Sequence, residues 1–273
     1  MKNGLINLLK GLWIGGTMTV PGVSGGSMAM LLGIYDQLIF AVSSFLKAPK
    51  KNFLLLMEYL VGGVLGVVLF SKYILTPLIA LYPLPTRYFF LGAVAGGAPM
   101  IFKTAGVKKL SVSAVGYPVI GIVLVLLISQ IPAGLFSPGD TFTVGGCFLQ
   151  LLGGLIIAVG FVLPGISLSQ MLLMLGLYEQ LLAAVDTFNL LPFIPLGIGV
   201  AIGALGVAKG MEHAMTKYPQ ATYLIIFGFL LGSLPQLFPG VPTGLQIPIC
   251  LITAVCGFFA IFFMQRLGNK RSD

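Results

Sequence analysis

Two apolar stretches of this chain, Leu5 to Leu46 and Phe142 to about Val185, are each too long to be one bilayer-crossing helix, and each is broken in the middle by Pro-Gly-x-Ser. A hydrocarbon core of about 30 Å takes roughly 20 apolar residues of helix. Proline removes a backbone donor and glycine loosens the chain, so each stretch reads as two helices joined at a bend. Backbone groups left unpaired in hydrocarbon are costly, and such a bend belongs against other protein or beside a polar cavity. The chain therefore needs several further helices to bury both bends.

Those helices are present. Single apolar spans are expected at about 53–70, 88–102 and 110–129 after the first broken segment, and at about 193–208, 221–234 and 248–264 after the second. The stretch from Ile74 to Leu84 contains Pro77 and Pro83 and is expected as an interfacial or short partial helix. Hydrophobic residues make up 58% of the 273 residues and charged ones 8%. A soluble domain is about a quarter charged, so too few polar side chains exist to cover a water-facing surface.

The bends are copies. P-G-V-S-G-G-S-M-A-M-L-L-G-I-Y-D-Q-L from Pro21 aligns without gaps to P-G-I-S-L-S-Q-M-L-L-M-L-G-L-Y-E-Q-L from Pro164. Downstream, Gly92, Gly96, Pro99 and Phe102 are matched in spacing by Gly228, Gly232, Pro235 and Phe238. The expected fold is an all-α polytopic membrane protein of two repeats forming one transmembrane domain. The first covers 1–135 with its hairpin at about 5–46, the second 136–273 with its hairpin at about 142–185. A turn-like Ser137-Pro138-Gly139-Asp140 lies between them.

If each hairpin returns to its own side, a half crosses an odd number of times and the second half is inverted. The charges favour this arrangement. With the N-terminus inside, every one of the fifteen Lys and Arg residues except Lys72 and Arg87 falls on the cytoplasmic side. That is the bias expected of cytoplasmic loops, and it places the C-terminus there as well. The same explanation serves for the net charge of +8, and no basic stripe with interleaved aromatics points to nucleic acid. The N-terminal apolar run lacks a small-residue cleavage site and is read as mature protein.

The freed amides at the start of the helix after each bend, with its dipole, form an anion site. Gly25 and Gly26 allow close approach to the backbone, and Ser24 and Ser27 add hydroxyls; Ser167, Ser169 and Gln170 are the mirrored set. A tight turn that packs two short helices and binds nothing also accounts for one bend. Two bends meeting near the bilayer centre match the placement of substrate sites in transporters.

Asp36 and Glu179 each lie in a Y-[D/E]-Q triplet, 15 residues beyond the proline of their bend. Acids within membrane segments are rare and usually functional, and these two are candidates for proton coupling or gating; interfacial capping is the alternative. Glu58 has no acidic counterpart in the second half. Arg87 grips phosphate through two hydrogen bonds in one reading, and snorkels with Lys72 to the interface in the other. Cys147, Cys250 and Cys256 sit in apolar runs without metal-ligand spacing, and His213, beside Glu212, is read as a loop residue. No metal or other cofactor is expected, and the sequence sets no oligomeric state.

With P-G-V-S-G-G-S at Pro21 to Ser27, L-G-I-Y-D-Q-L at Leu32 to Leu38 and the mirrored P-G-I-S…L-G-L-Y-E-Q-L, the chain resembles the bacterial polyprenyl-phosphate transporter family over essentially its whole length. The resemblance implies a non-enzymatic membrane carrier that flips undecaprenyl phosphate, the lipid carrier of cell-wall synthesis, back to the cytoplasmic leaflet by alternating access. More distantly, the chain resembles membrane undecaprenyl-diphosphate phosphatases with their P-G-x-S-R-S motif. Neither bend here carries that arginine. Phosphoryl chemistry needs cationic or metal stabilisation of its transition state, which argues against hydrolysis. A small-anion transporter built on the same hairpins is the third reading.

Overall fold

A computed structural model describes residues 2–18, 20, 22–107, 111–132, 134, 143–186, 189 and 191–269. Pro21, Lys108, Lys109, Lys270, Arg271 and the Ser137–Asp140 turn lie outside them, as do the details of the Ser169 side chain.

The first broken segment becomes three helices: α1 (Lys2–Thr17), α2 (Gly25–Leu31) and α3 (Tyr35–Ser43). The sequence indicates one break; a second falls at Leu32-Gly33-Ile34, where α2 and α3 meet at 120°. The cause is a glycine C-terminal cap. Gly33 takes a left-handed φ of 67°, and the amides of Gly33 and Ile34 donate back to Met30 and Ala29 at 3.1 and 3.0 Å. At about 10 and 14 Å long, α2 and α3 are each too short to cross a bilayer core.

The chain continues through α4 (Pro49–Leu65), a π-helical stretch (Gly66–Leu75) and α5 (Thr76–Leu81) as one 33-residue rod. The separate partial helix expected from Ile74 is instead the end of this rod. Pro77 sits at the first turn of α5, where proline is tolerated, and the break comes only at Tyr82 before Pro83. Next are α6 (Pro83–Thr104) and α7 (Val112–Ser129), the latter capped by Ser111, whose hydroxyl accepts from the amide of Ala114 at 3.3 Å.

The second series runs α8 (Val144–Val162), α9 (Leu168–Met174), α10 (Tyr178–Asp186), α11 (Ile194–Lys217), α12 (Pro219–Leu237) and α13 (Gln246–Asn269). Gly165 takes φ 83° where Gly22 takes 84°, and Gly176 takes 66° where Gly33 takes 67°. His213 belongs to α11 rather than to a loop, because that helix continues to the turn before Pro219; its side chain is exposed. Among the described residues every regular element is helical, and six helices are long and apolar enough to cross a membrane. The protein is a multi-pass membrane protein.

Helices pack in four close pairs: α1 with the α4 rod, α8 with α11, α6 with α13, and α7 with α12. Glycine makes each approach possible. A Cβ on Gly92 or Gly96 would run into the backbone of Ala254 or Phe258 in α13, and one on Gly228 into Pro118 of α7. Between membrane helices, where burial from water supplies no force, such small-residue seams give the packing its contact. The matched glycines thus lie in helix seams, and α6 and α12 each pair with the last helix of the opposite series. Large apolar side chains such as Leu54, Leu127, Leu251 and Phe263 face outward, as expected where the solvent is lipid.

Candidate functional site

The two bends meet. The backbone amide of Gly165 donates to Ser24 Oγ at 3.0 Å and to Ser27 Oγ at 2.9 Å. A Cβ on Gly26 would stand 3.0 Å from Pro164 Cα, so Gly26 is the gap through which the second bend approaches. Ser24 is the N-cap of α2 and accepts from the Ser27 amide at 3.1 Å. The serine hydroxyls are 2.7 Å apart, and both side chains are buried.

A hydroxyl has two lone pairs and one hydrogen. Ser24 Oγ accepts from two amides, so its hydrogen goes to Ser27 Oγ. Ser27 Oγ then accepts from Ser24 and Gly165, and its own hydrogen remains for another acceptor. The sequence suggests uncapped amides at α2; instead Ser24 caps the helix and the amide of Gly165 is held by the first bend. The Gly165 amide and the Ser24 hydroxyl, donors expected for an anion, are satisfied across the junction, and the Ser27 hydrogen is the one left over.

The mirrored set is built differently. Ser167 occupies the cap position of α9 without making a side-chain capping bond. Gln170 Oε1 accepts from Gln236 Nε2 of α12 at 3.3 Å, and Gln236 also reaches toward Ser129 Oγ at 3.5 Å. Both bends wedge onto α12. A Cβ on Gly22 would lie 2.7 Å from the Leu237 amide, and one on Gly165 would collide with the backbone of Phe229. A left-handed φ at both positions independently requires glycine.

The Y-D-Q triplet is a junction of three helices. Tyr35 donates to the Val162 carbonyl at the end of α8, 3.0 Å. Asp36 Oδ2 accepts from the Tyr223 hydroxyl of α12 at 2.7 Å. The single hydrogen of the Tyr59 hydroxyl of α4 is shared between Asn7 Oδ1 at 2.9 Å and Gln37 Oε1 at 3.2 Å. Asn7 in turn donates to Glu58 Oε2 at 2.8 Å, which gives the unmatched acid a partner. Beside Asp36 a cavity of about 30 Å³, lined by Met30, Met100, Thr104 and Tyr223 among others, has room for a water molecule. Glu179, the aligned acid, is exposed in the first turn of α10. The two carboxylates share a sequence position but not an environment.

No described contact joins Arg87 to the bends. It lies in the first turns of α6, and its Nε is buried with no hydrogen-bond partner. Sequence reasoning missed Tyr223, Gln236 and Gln265, whose Nε2 donates to the Leu31 carbonyl at 2.7 Å and so holds the end of α2. It also missed Gln150, 1% exposed, with neither amide atom partnered. A polar amide inside an apolar helix was the available signal for Gln150 and Gln265. Cys147, Cys250 and Cys256 lie in helices and form no disulfide.

A family profile described as "Undecaprenyl phosphate translocase-like" matches residues 14–247. A polyprenyl-phosphate transporter of Staphylococcus aureus is 31% identical over 274 aligned residues, covering 96% of each chain. One from Vibrio cholerae is 29% identical over 255, covering 87% of this chain and 78% of its own. No solved structure matches the chain.

Proposed function

The chain belongs to the undecaprenyl phosphate translocase-like family, and from that premise we propose that it flips undecaprenyl phosphate across the bacterial cytoplasmic membrane, returning the spent lipid carrier to the cytoplasmic leaflet. The observation that carries this reading is the junction of the two bends, with the Gly165 amide shared between Ser24 and Ser27. A phosphate cannot cross hydrocarbon without replacing its hydration. At this junction its oxygens would replace the two serines as acceptors for Gly165 and accept from the hydroxyls so released. Without headgroup, the Gly165 amide and the Ser24 hydroxyl are held within the junction, and the Ser27 hydrogen is the donor still to be met. With headgroup, they turn to the phosphate while the polyprenyl tail stays in lipid.

The exchange requires the bends to part, which is the local event of alternating access. In this reading the two series are inverted repeats, each entering from its own leaflet and both termini facing the cytoplasm, and one rocks against the other. Ser24, Gly25, Gly26 and Ser27 form the headgroup site from one side. Ser167, Ser169 and Gln170 form it from the other, and Arg87 meets the anion outside it. Asp36 is the coupling or gating group: its bond to Tyr223 ties α3 to α12, the helix on which both bends rest. Glu179, exposed, has the weaker case.

The protein acts as a carrier and not a phosphatase, because neither bend offers a cation to a phosphoryl transition state. The test is transport of labelled undecaprenyl phosphate in proteoliposomes, scored by accessibility of the headgroup in each leaflet. Wild type should equilibrate the lipid and Ser24→Ala/Ser27→Ala should not. A wild-type rate equal to that of empty vesicles would sink the proposal. Release of phosphate from the diphosphate lipid would reinstate the enzyme.

A further inference from the structure

The helix seams of the two series correspond residue by residue. In the first, a Cβ on Gly62 of the α4 rod would meet Leu8 of α1, and one on Gly66 would meet Leu12. In the second, a Cβ on Gly199 of α11 would meet Leu151 of α8, and one on Gly203 would meet Leu155. Leu8 and Leu12 precede Leu151 and Leu155 by the same spacing that separates Pro21 from Pro164. These registers place Gln150 where the first series has Asn7, and Gln180 where it has Gln37. Pro195 and Leu196 stand where the first series has Glu58 and Tyr59.

In the first series these residues are tied together. Tyr59 lies between Asn7 and Gln37, and Asn7 donates to Glu58, which fastens α3 to α1 and the α4 rod. In the second series a leucine and a proline replace the tyrosine and the acid, and the set is open. Gln150 is 1% exposed, and neither atom of its amide has a partner among the described residues. Gln180 is exposed on α10. An amide buried without a bond is unfavourable, and the side chains of Pro195 and Leu196 have no group to offer it. The two glutamines nevertheless flank one contact. A Cβ on Gly153, one turn from Gln150, would lie 3.6 Å from Leu177 Cδ1, one turn from Gln180. Glutamine is one methylene longer than the asparagine it replaces, and leucine in place of tyrosine removes the ring that separates the pair in the first series. A direct bond between the two amides needs no bridging residue.

We propose that Gln150 and Gln180 are positioning residues for transport, a latch that is open in this state and closes in the opposite state of the cycle; the inference rests on the transport reading above. Closing it draws α10 onto α8, as the first set holds α3 on α1. Among the described residues α3 packs closely on α4 and α11, and α10 closely only on α9, so the second hairpin is the one with a contact still to make. The closed latch gives both amides a partner and stabilises that state. The bare amide of Gln150 raises the free energy of this one, and the two states are thereby brought closer in energy.

The experiment measures thermal stability in mixed micelles and transport of labelled undecaprenyl phosphate in proteoliposomes, on the same preparations of full-length protein. Gln150→Leu takes an unpaired amide out of an apolar site, so its melting temperature should rise by about 2–6 °C. Its transport should nevertheless slow at least about fivefold, the weight of one net hydrogen bond. A residue that serves folding alone cannot give that combination. Gln180→Leu, on the exposed face of α10, should slow transport about fivefold and leave the melting temperature within about 1 °C of wild type. The double variant should be no slower than Gln150→Leu, because both changes remove the same bond. A lower melting temperature in Gln150→Leu would mean that its amide is already bonded in this state, and overturns the latch. Wild-type rates in either single variant, or losses that multiply in the double, overturn it too while leaving the transport reading intact. A wild-type rate no faster than that of empty vesicles overturns both together.

Discussion

Removing the two serines of the first bend one at a time and then together tests whether the bends are joined as described. Ser27→Ala deletes one of the two acceptors of the Gly165 amide and leaves the other, and it also removes the acceptor of the Ser24 hydroxyl, so the loss is that of two ordinary hydrogen bonds, about 2 kcal/mol. Ser24→Ala also leaves one acceptor for Gly165 but removes the cap of α2, for about 1–2 kcal/mol. The double variant is different in kind. The Gly165 amide, buried against α12, then has no acceptor, and an unsatisfied buried donor costs a further 1–3 kcal/mol or so. Stability of wild type, both single variants and the double variant is to be measured by equilibrium unfolding in mixed micelles, closing a double-mutant cycle. Because the Ser24–Ser27 bond, about 1 kcal/mol, is lost in each single and so enters their sum twice, the double variant should match that sum or exceed it by up to about 2 kcal/mol. A double variant that loses about 1 kcal/mol less than the sum, the result when only the Ser24–Ser27 bond is shared, would mean that Gly165 does not rely on these serines and that the bends do not meet in this way.

Asp36→Asn should flatten the pH profile of transport in proteoliposomes, and Tyr223→Phe should shift that profile while the protein remains folded; unchanged profiles in both remove Asp36 from any coupling role. Gly22→Ala should lose about 2–5 kcal/mol, since it combines a left-handed φ with a Cβ 2.7 Å from the Leu237 amide; a melting temperature within a degree of wild type would contradict the wedge onto α12. Gly228→Ala, whose Cβ meets the Pro118 carbonyl, should destabilise by about 1–3 kcal/mol. Gly206→Ala, in open space on α11, should be neutral or gain up to about 1 kcal/mol; equal effects of the two in thermal melts would refute the seam.

The helical class and the broken segments could be read from the sequence because both follow from local chemistry: apolar length, and proline with glycine inside it. The second break at Gly33 was equally local, yet a lone glycine in an apolar run has many uses, and only its left-handed φ reveals the cap. The rod to Leu81 is not legible locally because Pro77 suggests a break, although at the first turn of a helix proline costs little. What the sequence could not supply was pairing across the chain. Tyr223 finding Asp36, Gln265 finding Leu31 and Gly165 finding two serines join residues 138 or more apart in sequence. The duplication also misled in one respect. Aligned positions invite the same role for Asp36 and Glu179, whereas the protein half-buries one against a tyrosine and leaves the other exposed.

The partner exchange between α6 and α13 bears on how the chain is made. From Thr104, the end of α6, to Gln246, the start of α13, is 142 residues of sequence, and a ribosome adding roughly 5–20 residues per second needs on the order of ten seconds to supply them. During that interval the Gly92–Gly96 face of α6 is without the helix it packs against. A nascent chain at that stage is a natural client for insertion factors or for proteolysis. Truncation just before α13 should therefore give a product that is degraded rather than one that is merely inactive.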